Sequence, residues 1–333
     1  MKREVGFFLM ILILAISVAF TSCNKDNNKF TVTELLDGYH VTEIAFDSKG
    51  NAWIGTAKQG IIRYNAEETL FFNSDNSIIP KDFYLWDIAI DRNDNVWMGG
   101  THGLLKYDGQ KFTLYNTQNT PMPKSSVFSI AIDSQNNVWF ASCDIDTGGI
   151  VKYDGIEWTV YTPDNSILPY NLVTNIVTDQ SDNVWVGYWN CLVKISKNEW
   201  KIFTDNELGF TPYNISYINI NSKNSVVGVI DYSGSSMFFP LSSPDFFIFD
   251  GEKTTLLSCN GGIRLITMPI ITVDHNDCIW CFGTGGKCGV WMGDQWMQLD
   301  RSEWGGFGAW AIIEAPDHRI WIGTEDGIYI REK

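Results

Sequence analysis

The sequence predicts an all-β protein, a seven-bladed β-propeller with four-stranded blades and a ring closed by the N-terminal strand completing blade 7. Three observations predict it. A tryptophan-centred motif recurs at a near-constant interval, each interval carries the turn signals of four short strands, and the last interval stops one strand short.

The motif first reads Asp47-Ser-Lys-Gly-Asn-Ala-Trp53-Ile-Gly-Thr, then Asp91-Arg-Asn-Asp-Asn-Val-Trp97-Met-Gly-Gly. Copies follow at Trp139, Trp185, Trp280 and Trp321, with a worn copy anchored at Val226. The intervals are 44, 42, 46, 41, 54 and 41 residues. A β-rich repeat of about 40–45 residues is the mark of a propeller blade.

Within a unit, strand a is an apolar-rich run such as Val41–Phe46, repeated at Leu85–Ile90, Val127–Ile132 and Val173–Thr178. The Asp-x-x-x-Asn segment that follows is a tight turn, because Asx side chains satisfy nearby backbone N–H groups. Strand b carries the tryptophan and ends near Gly-Thr. Strand c is Gly103–Tyr107, and Asp108-Gly109 is a hairpin signal leading to strand d at Lys111–Tyr115. The final unit ends at Gly327–Arg331 without a strand d, while Lys29-Phe30-Thr31-Val32 mirrors Lys111-Phe112-Thr113-Leu114. The N-terminal strand is therefore expected to close the ring and remove the open edges.

Ahead of the repeats, Met1-Lys2-Arg3 precedes the apolar run Phe7–Phe20 and then Thr21-Ser22-Cys23. This reads as a signal peptide over 1–22, with a run of about 14 residues too short for a comfortable membrane span. Residues 23–28 are a polar tether, and 29–333 the propeller. The chain of 333 residues is 44% hydrophobic and carries 39 acidic against 24 basic residues, net −15. That balance excludes nucleic acid and anionic lipid surfaces as partners.

Two resemblances follow from these residues. Thr21-Ser22-Cys23 resembles a bacterial lipobox, with Phe20 where leucine is commonest. The resemblance implies cleavage before Cys23 and lipidation of its thiol, an anchor at the outer membrane on its periplasmic or surface face. Lys25-Asp26 faintly resembles the export signals of Bacteroides-type surface lipoproteins. The units around Trp53, Trp97, Trp139, Trp185 and Trp321 resemble the two-component regulator propeller repeat. That family supplies periplasmic sensor domains of hybrid histidine kinases, often tied to polysaccharide use. Here the resemblance implies a standalone lipoprotein of the same fold. Streptogramin-lyase-like propellers have similar seven-bladed repeats, which keeps a lyase or hydrolase reading open.

The repeated tryptophans are expected to be core. Asp91-x-Asn93-x-Asn95 echoes a calcium loop, but lacks its glycine and distal glutamate, and is read as a turn. Candidate ligand residues are those that break the repeat in the d–a and b–c loops, which share one mouth of the channel. They are Tyr84, Trp86, Tyr213, Trp304 and Trp310 from d–a segments, and Lys58, Tyr188, Trp189 and Lys287 from b–c loops. Aromatics beside a few polar groups suit a glycan or another flat neutral ligand. The third position of strand a reads Glu43, Asp87, Ser129, Asn175 and Tyr217, so the channel is expected to be wet. Glu43 and Asp87 from neighbouring blades, with His102 at the mouth, are the weak catalytic candidates. An apolar b–c insert in unit five, 231–245, is a candidate lid, partner contact or plug. Cys143 and Cys191 lie in equivalent loops and are a disulfide candidate. The zinc-like spacing His275-x-x-Cys278-x-x-Cys281 sits on a strand whose residues three apart point opposite ways. No metal or cofactor is expected. The sequence thus points to a non-catalytic recognition propeller, with a propeller enzyme and a protein scaffold as alternatives.

Overall fold

The computed structural model describes residues 32–144, 146–211, 215–230, 246–257, 270–282, 288–299 and 308–331. The signal segment, Cys23, the tether, Tyr213, Lys287, Trp304 and the unit-five insert lie outside the described residues. The described strands form seven antiparallel four-stranded sheets, each ordered a-b-c-d from the channel outward. Blade 2 shows the plan: Leu85–Ile90, Val96–Gly100, Gly103–Tyr107 and Phe112–Tyr115. Blade 7 consists of Ala309–Glu314, Ile320–Thr324, Gly327–Arg331 and, from the other end of the chain, Val32–Leu35.

Closure is therefore as expected, with a shift. Val32 pairs with Arg331 and Leu35 with Ile328. Leu104, the counterpart of Ile328, pairs with Tyr115, so Leu35 stands where Tyr115 stands and Val32 where Phe112 does. The mirror drawn between Lys29–Val32 and Lys111–Leu114 is two residues early. A slip of two preserves which side chains face which way, so alternation alone could not detect it.

Strand b holds the core together. Trp53, Trp97, Trp139, Trp185, Trp280 and Trp321 are all 7% exposed or less. Each indole packs between sheets: Trp53 lies 5.2 Å from Tyr107 of the next blade, and Trp97 6.0 Å from Tyr153. On the same sheet Lys106 sits over Trp97 and Lys194 over Trp185, each 5.0 Å from the ring centroid. Such cation–π contacts add roughly 0.5–1 kcal/mol at partly exposed sites. Strand b also approaches the neighbouring blade closely. A Cβ on Gly99 would sit 2.6 Å from the Val127 carbonyl oxygen, which explains the glycine there.

Register corrects one anchor. Ala45 pairs with Trp53 and Ala89 with Trp97, while Asn219 pairs with Val227. Val227, not Val226, stands at the tryptophan position of blade 5.

The a–b turns do two jobs. The Asp91 carboxylate accepts the N–H groups of Asn93 and Asn95, the Asn95 amide and the Trp97 indole N–H. It is fully used by its own turn, as the turn reading requires. The turns also latch adjacent blades. Ser48 gives its N–H and hydroxyl to Asp94 (3.0 and 2.6 Å), while Arg92 gives its N–H to the Asn136 carbonyl (3.0 Å). Ser134 with Asp182, Gln180 with Asn224 and Ser222 with Asp277 repeat the scheme. A serine with two donors meets a carboxylate. A residue offering only its N–H meets an amide. The acceptors all sit in the left-handed region, φ 60–64°, where Asn and Asp are tolerated better than most side chains.

Candidate functional site

Strand a enters from the d–a loop, so its second and third residues lie nearest the mouth shared by the d–a and b–c loops. The third positions form a hydrogen-bonded collar rather than a plain wet wall. Asp87 accepts the N–H of Ile130 at 2.6 Å, Ser129 that of Ile176 at 3.0 Å, and Asn175 that of Ile218 at 3.1 Å. Each side chain thus bonds the inner strand of the next blade. Strand-a bulges in blades 1, 2, 3, 5 and 7 fall at this level. A bulge re-aims side chains and releases a ladder N–H.

Glu43 and Asp87 are brought together. Burial, and then the neighbouring Asp87 charge, push the Glu43 carboxyl well above its usual range. Burial pushes Asp87 up to about 6 against the opposing hydrogen bonds from Ile130 and Ser129. Tyr217 completes the group, its phenol pushed up by burial and then by both carboxylates. Burial thus favours the protonated form of each member of the trio. Around the rest of the collar, Ile270 and Ala311 replace polar groups.

The second positions carry aromatic surface. Trp86 stacks on Phe128 of blade 3 at 4.3 Å and 26°. Tyr84 lies 6.0 Å from Trp86, its phenol pushed up by burial and by Glu325 of the blade 7 b–c loop. Phe128 escaped the sequence reading, although it is the counterpart of Trp86 one repeat on. Trp310 packs 5.2 Å from His40, and the Nε1 of one and Nε2 of the other are buried without a hydrogen-bond partner among the described residues.

Blade 4 supplies the most open aromatic. Trp189 is 55% exposed and Tyr170 47%, with the Asn190 amide donating to the Tyr170 hydroxyl at 3.1 Å. Tyr188 is a correction: it is fully buried, and takes no part in the open surface. Its N–H closes a tight turn to the Cys191 carbonyl (3.0 Å), which tucks the ring into the core with Cys143 and Cys191. Those cysteines remain two separate thiols, each pushed up to about 11 by burial, so the disulfide candidate is not formed. Lys58 is exposed at the rim. His102 is exposed, 2.9 Å from the Thr101 hydroxyl, and 6.4 Å from the Phe83 ring.

No family model matches the chain, and no curated protein does. Solved structures do. The extracellular domain of the putative one-component system BT4673 from B. thetaiotaomicron superposes with a TM-score of 0.69 at 17% identity, over 90% of this chain. This chain spans 39% of that domain's length. A catalytically inactive virginiamycin B lyase from Staphylococcus aureus with quinupristin gives 0.72 at 14% identity, covering 92% of this chain and 100% of the lyase. YCF48 bound to D1 peptide gives 0.65 at 14% identity, covering 92% and 97%. At these identities the likeness shows the propeller fold.

Proposed function

We propose that this chain is an exported, lipid-anchored recognition propeller without catalytic activity, and that its mouth over blades 2–4 binds a neutral, ring-bearing ligand such as a glycan. The carrying observation is Trp189, an indole 55% exposed beside a half-exposed Tyr170 on a loop where core packing does not require either ring. A pyranose face laid on an exposed indole gains apolar contact, and nearby hydroxyl and amide groups such as those of Tyr170 and Asn190 orient it. The Trp86–Phe128 stack and Tyr84 extend the same kind of surface toward the channel. The surface-lipoprotein part rests on Thr21-Ser22-Cys23, and a sensing role agrees with the fold shared with the BT4673 extracellular domain.

A lyase reading would need Glu43, Asp87 and His102 to act on one ligand. Against it, Asp87 is engaged by the Ile130 N–H and Glu43 by its neighbour Ile44, while His102 lies against Thr101 and the Phe83 ring. A scaffold reading depends on the unit-five insert and predicts a protein partner lost on deleting 233–243.

The test is binding of the purified protein to a glycan panel. Trp189→Ala is expected to weaken the strongest glycan by about tenfold, the scale of one to two kcal/mol for a stacked ring. Binding that ignores Trp189→Ala, or turnover of a lactone or glycan that His102→Ala abolishes, would overturn the reading.

A further inference from the structure

On the opposite face the latch system changes chemistry at one junction. Between blades 6 and 7 the donor is His275, where other blades place Ser48, Arg92, Ser134, Gln180 and Ser222. The left-handed residue is His318, φ 67°, where the five junctions from blade 1 to blade 6 place aspartate or asparagine. The last residue of strand a is Glu314, where the other six blades have Phe46, Ile90, Ile132, Thr178, Ile220 and Val273. Three departures from the repeat thus converge on one point.

Their geometry is specific. Glu314 is mostly buried and is anchored through Oε2, which accepts the His275 N–H at 2.7 Å. Its Oε1 faces both imidazoles, 2.5 Å from His275 Nδ1 and 3.1 Å from His318 Nδ1. The two rings lie with centroids 4.0 Å apart, tilted by 38°. One ligand atom from each of the three residues falls within 4.8 Å of the others.

We propose that His275, Glu314 and His318 form a binding site for a borderline transition-metal dication, Zn²⁺ first among them. Tetrahedral bonds of about 2.0–2.1 Å place ligand atoms roughly 3.3 Å apart. His318 Nδ1, at 3.1 Å, already stands near that distance from the carboxylate oxygen, and His275 Nδ1, at 2.5 Å, has to move outward to reach it. Two imidazoles and one carboxylate are a donor set for zinc, copper or nickel, whereas calcium and magnesium ask for more oxygens. A metal takes each ring as the neutral imidazole, through a nitrogen that carries no proton. Three protein ligands leave a fourth position for water or an outside donor. The latch chemistry explains how such a site arises without disturbing the fold. The carboxylate still receives a backbone N–H from the preceding blade, as at the other junctions. The metal then adds a second bond between blades 6 and 7, the blade that holds both ends of the described chain. The spacing His275-x-x-Cys278-x-x-Cys281 is not the ligand set: Cys278 occupies the turn position of Asn95, its N–H bonded to Asp274.

The experiment uses untagged full-length protein, stripped by chelator and dialysed against Zn²⁺ or Co²⁺. Wild type is expected to take up one ion, with tetrahedral-type visible absorption for Co²⁺ and a thermal midpoint raised by Zn²⁺. His318→Asn restores the residue found at 136 and 224, and His275→Ser the residue found at 48, so both variants keep the ordinary latch. Each is expected to fold as wild type and to bind the metal at least about tenfold more weakly. Glu314→Gln should do the same. Equal uptake by wild type and His318→Asn would place the metal elsewhere, on the cysteines for instance, and overturn the proposal. So would the absence of uptake by wild type at millimolar metal.

Discussion

A single carboxylate explains why aspartate and tryptophan travel together in these repeats. Asp91 satisfies four donors, among them the Trp97 indole at 3.1 Å. In blade 5 the carboxylate becomes Asn221 and the tryptophan becomes Val227, so the indole donor is gone where one acceptor oxygen is gone. In blade 7 Ala315 removes the acceptor, and the buried Trp321 Nε1 has no hydrogen-bond partner among the described residues. Asp91→Asn should therefore cost about 1–2 kcal/mol, since the new amide nitrogen meets the indole N–H donor to donor. In a Trp97→Val background the same change should cost less than half as much. Urea unfolding of the four proteins in a double-mutant cycle measures this, and strictly additive effects would refute the coupling. The Asp–Trp pair was legible because it repeats. The blade 5 anchor was misplaced by one residue because, once the indole is lost, Val226 and Val227 are the same letter. Tyr188 was misread because sequence places it in a loop, while the turn to Cys191 that buries it depends on a backbone direction no local pattern encodes.

Among elements, the inner strand is the one whose function differs from its appearance. Its alternating pattern predicted polar groups in the channel, and they are there. The collar of side chain to next-blade N–H bonds was not legible, because it requires knowing which backbone N–H each bulge frees. The price of the collar is Glu43 beside Asp87. A carboxyl whose pKa in the folded protein exceeds its unfolded value takes up a proton on folding, so it lowers stability as pH rises through that interval. For these two groups the interval begins near the ordinary values of 4.5 and 3.8 and extends to about 6 for Asp87 and well above its ordinary value for Glu43. Glu43→Gln keeps an oxygen for the Ile44 N–H and removes the charge. It should leave stability at pH 4 nearly unchanged and raise it at pH 8, so the difference between variant and wild type grows with pH. Urea midpoints across that range test the sign. Parallel curves would mean that the pair titrates as it does in water.

For the whole molecule, the decisive feature is that blade 7 is built from both ends of the described chain. Every other sheet takes its four strands in sequence order from one stretch of chain. In blade 7, among the described residues, the ladder between Val32–Leu35 and Gly327–Arg331 ties the two ends together, with one backbone bond beside it from the Gly38 N–H to the Asp326 carbonyl at 3.3 Å. The latch ring is also incomplete beside it, because Pro316 and Gly50 stand at the latch positions between blades 7 and 1 and neither offers the side chain or N–H used elsewhere. Closure thus concentrates on four residue pairs. Replacing Val32–Leu35 with Gly-Ser-Gly-Ser keeps the chain length and strips the apolar and β-favouring side chains. Several ladder bonds at about 1 kcal/mol each, plus the packing of Leu35 against the core that holds Ile328 and Ile330, put the loss at about 3–5 kcal/mol. The blades contact mainly their neighbours, so the loss should be local before it is global. Hydrogen exchange should rise first in 309–331 and then in blade 1, while the inner strands of blades 3 and 4 stay protected at low denaturant. If 309–331 keeps wild-type protection, the seam is held by something other than the N-terminal strand. If all blades lose protection together, the ring unfolds as one unit and the seam is not its weakest point.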